Sequence, residues 1–338
     1  MQTSVGALIR VVLYYHRKPG LAGPNFFPSE AAWMNRVAVL ILICAVFISV
    51  WPLQAGASEK LAVFVSIVPQ KYFVEKIGGD FVNISVMVKP GANPATYEPK
   101  PQQMIRLSRT QIYFAIGVPF EQIWLKKIAA ANPAMRVVHT DAGIDKLSIG
   151  YHSHPEKEEG HPARQIQPHE NSLRHHEILD PHIWLSPPLV QQQAIAIFEA
   201  LVRSDPVNRV IYEQRYKDFT KELGEIHKAI ASIFDGKDSL EFIVFHPSWG
   251  YFAHTYGLKQ VAIEVEGKAP KPAQLTKLIQ YCREHHIKVV FVQPQFSTKS
   301  AELVAREIGG QVIVADPLAE NWSENLRMVA TKFQAVLK

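Results

Sequence analysis

Two histidines and one aspartate stand beside prolines in this sequence. They are His182 in Asp180-Pro181-His182-Ile183-Trp184-Leu185-Ser186-Pro187, His246 in Phe245-His246-Pro247, and Asp316 in Ala315-Asp316-Pro317. Imidazole nitrogens and carboxylate oxygens are donors for a borderline-soft divalent ion. Two imidazoles and one carboxylate fit Zn²⁺ and leave a fourth coordination position. A carboxylate in a cleft is costly to desolvate without a partner, and a cation offsets that cost. Taken singly, each histidine reads as well as a capped or packed core residue. The set of three, each placed at or next to an expected strand end, favours a metal.

The spacing is long-range and carries little weight alone. No H-E-x-x-H or paired-cysteine zinc signature is present, nor G-x-S-x-G, G-x-G-x-x-G or the phosphate-cradling G-x-x-x-x-G-K. Of the remaining histidines, His254, His285 and His286 fall on helical patterns and read as surface residues. His227 reads as solvated, and His139 ends an expected strand as a possible extra ligand.

Positioning such a set requires a scaffold that presents strand ends, and the hydropathy pattern supplies one. Strands are expected at 61–67, 82–88, 112–116 and 135–139, with helices between them. This alternation argues for a parallel sheet covered by helices. A second βα series runs through strands at 242–245, 260–265, 288–292 and 312–315 and closes with a helix at 322–337. Between the series lie helices at 189–202 and from Pro206 to Phe234. In the second of these, Phe219, Leu223, Ile226, Ile230 and Ile233 form one apolar stripe, the mark of a long strut with a buried face. The expected fold is α/β: two parallel-sheet lobes joined by a long rigid helix, with a metal site in the cleft between them. In open α/β sheets ligands bind outside the carboxyl ends of the strands, so His246 and Asp316 are expected on one rim and His182 on the other lobe.

The expected organisation has an over-extended or disordered start at 1–33 and a signal peptide at 34–57. An N-terminal lobe follows at 58–186, containing a histidine-rich loop at 150–178. Linking helices occupy 187–238 and a C-terminal lobe 239–338. The leader reading rests on Arg36, the apolar run Val37 to Val50 and Ala55-Gly56-Ala57, an A-x-A cleavage pattern. Met34 would then be the initiator. The loop carries His152, His154, His161, His169, His175 and His176 among Glu, Pro and Gly, a composition that cannot form a core but suits loose metal capture.

The chain is 47% hydrophobic and 20% charged, so it can bury a substantial core. Its net charge of +5 owes three units to residues 1–57, which hold Arg10, Arg17, Lys18 and Arg36 against Glu30. No basic block with interleaved aromatics points to nucleic acid. Of the two cysteines, Cys44 lies inside the apolar run and does not look like a lipid-attachment site. Cys282 is then alone, without an internal disulfide partner, and reads as a packed thiol.

Several of these stretches, in this order, resemble the zinc/manganese solute-binding proteins of ABC transporters over nearly all of residues 58–338. They are Val88-Lys89-Pro90-Gly91-Ala92-Asn93-Pro94-Ala95-Thr96-Tyr97-Glu98-Pro99, Asp180 to Pro187, Phe245 to Phe252, Gln293-Pro294-Gln295-Phe296-Ser297, and Asp316-Pro317-Leu318. The resemblance implies two α/β lobes joined by a long helix, with metal bound between them. It also implies His182, His246 and Asp316 as ligands, an ABC permease as partner, a periplasmic location, a monomer and no enzymatic reaction. The histidine-rich loop is typical of the zinc members, and manganese members carry a carboxylate where this chain has His246. Zinc is therefore expected over manganese. Two positions depart from the family pattern. The first motif has Ala95 where the family has a histidine, which leaves water, Glu98 or a loop histidine to fill the gap. Gln293 stands where glutamate is frequent. An exported zinc hydrolase, with Glu98 as base at an open coordination position, is the competing class.

Overall fold

The computed structural model describes residues 59–149, 179–237, 240–264 and 270–337. The expected signal peptide and nearly all of the histidine-rich loop lie outside these residues. Residues 58–338 form one compact unit.

The first half lays down four parallel strands, β1 (Leu61–Val65), β2 (Val82–Val86), β3 (Ile112–Ala115) and β4 (Arg136–His139), in the order β2-β1-β3-β4. Their Val, Ile, Phe and Tyr content suits a pleated surface buried on both faces. Helices α1 (Val68–Gly78), α2 (Pro101–Leu107) and α3 (Pro119–Ala131) make the crossovers, and each begins with a proline in its first turn. Proline fits there because the first-turn amides have no helical acceptor. The second half repeats the plan. Its strands β5 (Glu241–Val244), β6 (Lys259–Ala262), β7 (Val289–Val292) and β8 (Gln311–Val314) are parallel and ordered β6-β5-β7-β8. Helices α6 (Gly250–Thr255), α7 (Pro272–Glu284) and α8 (Lys299–Glu307) connect them, and α9 (Trp322–Val336) closes the chain. Both lobes are therefore parallel-sheet α/β.

Two helices link the halves: α4 (Pro187–Ser204) and α5 (Arg209–Phe234), the latter 26 residues long. The apolar stripe of α5 is buried at Phe219, Leu223, Ile226 and Ile230, and its last member is Phe234, with Ile233 only half-buried. It packs on α1, α4 and α9. As a result the two halves share one continuous core, in which Phe73 of the first half stands edge-on to Trp322 of the second at 5.1 Å. A smaller core fills the far face of the second sheet under α7 and α8 and includes the buried Cys282. Burial pushes that thiol's pKa up to about 11, which makes it a packed thiol and not a ready nucleophile. Among the described residues no helix is long and apolar enough to cross a membrane.

Candidate metal centre

His246 lies two residues beyond β5, and the pairing register decides what surrounds it. Val244 of β5 pairs with Ala262 of β6 and with Phe291 of β7. Two residues further along, the same level of the rim holds His246, Glu264 and Gln293. Glu264 receives the imidazole Nδ1 at 2.8 Å. Gln293, fully buried, accepts the His246 amide at 3.1 Å through Oε1. It donates through Nε2 to the His246 carbonyl at 2.7 Å and to the Ser248 hydroxyl at 3.1 Å. The amide thus clamps the His246 backbone from both sides. Glutamate, the residue expected at this position from the resemblance, has no N–H to make the two donated bonds. The Phe296 ring stacks on the imidazole, with centroids 4.5 Å apart.

His182 follows no strand of either sheet, contrary to the expectation that it sits at a strand end. It follows a single antiparallel bridge between Ser148 and Leu179 and caps a short 3₁₀ turn, Ile183–Leu185. Asp180 supplies the equivalent of Glu264. It is completely buried, and its Oδ1 accepts both the His182 amide at 2.9 Å and the imidazole Nδ1 at 2.6 Å. Tyr251 from the second half donates to the Asp180 carbonyl at 2.9 Å, and Trp184 donates its indole N–H to the Pro317 carbonyl at 2.7 Å. The turn that carries His182 is thereby tied to the other lobe.

The two rings face one another with centroids 5.3 Å apart, near perpendicular at 72°. In both, Nδ1 is committed to a carboxylate, so Nε2 remains as the donor. A carboxylate behind Nδ1 fixes the tautomer, aims the ring and raises ligand basicity. Burial, with His182 alongside, holds the His246 imidazole below its ordinary pKa, against the opposing pull of Glu264. It is therefore kept neutral near pH 7, the form that binds metal. Asp180 Oδ2 is buried with no hydrogen-bond partner among the described residues. An uncompensated carboxylate of this kind fits a neighbouring ring that shares the charge of a cation.

Both imidazoles open into one cavity of about 640 Å³. Its first-half wall comes from Asn93, Pro94, Ala95 and the β3–α3 turn at Gly117-Val118-Pro119. Gly117 has φ +84°, and a Cβ there would fall 2.3 Å from Lys146 Nζ and 2.5 Å from Asp141 Oδ2. Glu121, buried, holds this turn by accepting the amides of Ile116 at 3.0 Å and Gly117 at 2.8 Å. Burial raises its pKa despite these bonds.

The third expected ligand is placed differently. Asp316 lies two residues beyond β8, on the same rim as His246, but its neighbours Gln295, Pro317 and Leu318 line the cavity and Asp316 itself does not. Its Oδ1 accepts Gln295 Nε2 at 2.8 Å and the Leu318 amide at 2.9 Å. Among the described residues no three His, Cys, Asp or Glu side chains converge closely enough to hold one ion. The structure thus brings His182 and His246 together, with Asp316 one residue away from the cavity wall. His139 is exposed, contacts Asp141 at 3.6 Å and does not line the cavity. Glu98 is also exposed and away from it. His254, His285 and His286 are exposed as expected, whereas His227 is half-buried against Tyr256. The loop histidines from His152 to His176 lie outside the described residues.

Sequence reasoning passed over Glu264, the holding role of Asp180 and the stacking of Phe296. Asp180 offered a signal in its position two residues before His182. Glu264 offered none without the strand pairing.

A family model for the zinc-uptake complex component A, periplasmic, matches residues 63–336. The high-affinity zinc uptake system protein ZnuA of Bacillus subtilis (strain 168) is 29% identical over 264 residues, covering 77% of this chain and 79% of that protein. A putative metal-binding protein of Chlamydia trachomatis serovar D is 26% identical over 277 residues, 82% of this chain and 91% of that one. Among solved structures, a crystal structure of ZnuA superposes with a TM-score of 0.72 at 42% identity, covering 82% of this chain and 99% of that one. A ZnuA deletion mutant with zinc bound superposes with a TM-score of 0.71 at 43% identity, covering 82% and 98%.

Proposed function

We infer the function from one premise: the chain belongs to the periplasmic zinc-uptake complex component A family. Its role is to capture Zn²⁺ outside the cytoplasmic membrane and deliver it to the permease of an ABC importer. One observation carries this reading. Two imidazoles, His182 buried and His246 half-buried, are each backed at Nδ1 by a carboxylate and face each other at a cavity with both Nε2 atoms available. Two nitrogen donors favour zinc over manganese, whose sites are richer in oxygen. Asp316 is the proposed third ligand, reached by a short movement of the Asp316-Pro317 turn from its place beside the cavity. The zinc is cargo, and no reaction is assigned to the site. Against a zinc hydrolase stands the placement of Glu98, the base considered for it, which is exposed and outside the cavity.

The protein is proposed to act as a monomer, exported by a signal peptide at 34–57 and cleaved after Ala57. The shared core around α5 supports small relative movements of the lobes instead of wide hinge closure. The test is a zinc titration of residues 58–338 against a competing chelator. One tight site per chain that disappears in His246→Ala is expected. Several weak sites insensitive to His246→Ala would overturn the cleft reading.

A further inference from the structure

The cavity is far larger than its proposed cargo. A bare divalent ion occupies a small fraction of about 640 Å³, which falls within the range of small-molecule pockets, roughly 300–1,000 Å³. On the first-half side Ala95 offers only a methyl group at the wall, beside the apolar Pro94, Val118 and Pro119, with Asn93, Gln122 and Lys146 as the polar lining. Among the described residues no histidine, cysteine or carboxylate lines the cavity from this side. Resting on the zinc-binding reading above, we propose that the metal is bound together with a small neutral nitrogen base, imidazole-like in chemistry, which enters the space beside Ala95 and completes the coordination sphere.

Charge decides against an anion as the added ligand. Asp180 and Glu264 stand directly behind the two imidazoles, and Asp316 lies on the adjoining turn. Three carboxylates already exceed the two charges of the ion. The cationic side chain on the cavity wall, Lys146, is bound to Asp141 at 2.5 Å and adds no net positive charge. A further anion in this low-dielectric space would be repelled, whereas a neutral nitrogen lone pair adds no charge. Zinc takes such donors readily. The apolar wall favours a flat, weakly hydrated ring over a strongly hydrated amine. The side-chain amide of Gln122 lines the same cavity and can accept a ring N–H, whereas the Asn93 oxygen is already taken by the Ala95 amide at 2.8 Å.

The test uses imidazole as probe and two readouts on the purified protein. Zinc affinity is measured by chelator competition with and without millimolar imidazole, and the Co²⁺-loaded protein is followed by its visible absorption during an imidazole titration. Because coupling between two ligands is reciprocal, imidazole should tighten zinc binding by about tenfold or more, opposite in sign to its sequestration of free zinc. The cobalt spectrum should change with saturation at one imidazole per metal. Ala95→His, which places the imidazole in the chain, should bind zinc tightly without the probe and lose both responses. An equal response in Ala95→His, or no response in a protein that binds one metal sensitive to His246→Ala, overturns the co-ligand and leaves the zinc site standing. A response seen only after deletion of residues 151–177 also overturns it, because a loop side chain would then hold the position. Absence of metal binding sensitive to His246→Ala overturns the underlying zinc reading instead.

Discussion

The two lobes share one sheet order, yet the same layer of the rim carries opposite chemistry. Aligned by register, Val65 of β1 corresponds to Val244 of β5, since each pairs with both neighbouring strands at its own level. Two residues onward the second lobe presents His246, Glu264 and Gln293. The first lobe presents Ile67, Val88 and Ile116, all buried. One position further on the outer strand each lobe has an aspartate. Asp141 is closed off by Lys146, while Asp316 is held by the neutral Gln295 amide and the Leu318 N–H and has no ion pair among the described residues. A repeated topology therefore supplies equivalent places for ligands, and side-chain identity decides whether the place is a metal site or a wall. On the proposed reading the second lobe grips the ion through His246, the segment before α4 contributes His182, and the first lobe contributes space.

This asymmetry can be broken in order of expected effect. His246→Ala removes a ligand from the gripping lobe and should weaken zinc binding by more than about 100-fold in chelator competition, exceeding the 10–100-fold range usual for residues behind a ligand. Glu264→Gln leaves Nδ1 without its carboxylate and should cost about 10–100-fold, whereas Val88→Leu, at the matching place in the first lobe, should leave affinity unchanged. Gln293→Glu tests the amide clamp. Losing the N–H donors to the His246 carbonyl and Ser248 should weaken zinc by about tenfold, within the same range, and a variant with unaltered affinity would show that the clamp does not position the ring. Lys146→Met, in the wall lobe, should change zinc affinity by less than about threefold, as expected for a group without a shared partner with the ligands.

The pH dependence sharpens the same contrast. The His246 pKa is lowered in the folded protein, so the native state binds fewer protons there than the unfolded chain. Its contribution to the stability of the metal-free protein is complete above the unfolded value near 6.5 and is lost as pH falls below it toward the depressed folded value. Zinc affinity should fall over the same window, because both imidazoles must be neutral to bind. Denaturant unfolding and chelator competition between pH 8 and pH 5 measure the two effects. Affinity that stays constant across that range would exclude histidine ligation.

Much of this was legible in the chain itself. The β-rich and helical runs alternate clearly enough to give two parallel-sheet lobes, because β-branched strands buried on both faces and proline-started helices carry local signals. The stripe from Phe219 to Ile230 marks α5 by its spacing alone. His182, His246 and Ala95 stand in motifs that can be read in one dimension. The strand ends were less sharp: β1 stops at Val65 because Ile67 turns the chain into α1.

What only the tertiary structure decided is which groups stand behind the ligands. Glu264 is 18 residues from His246 and Gln293 is 47 residues away. Nothing local links them, since parallel strands are joined by crossovers and their pairing register is set by how the helices pack. The same holds for Asp316, a ligand candidate by its place in the sequence, which the Gln295 and Leu318 bonds hold just outside the cavity. Sequence fixes residue chemistry and local conformation, because both depend on near neighbours. The distances and charges that make a metal site depend on contacts between strands far apart in the chain, and those exist only once the lobes have closed around a common core.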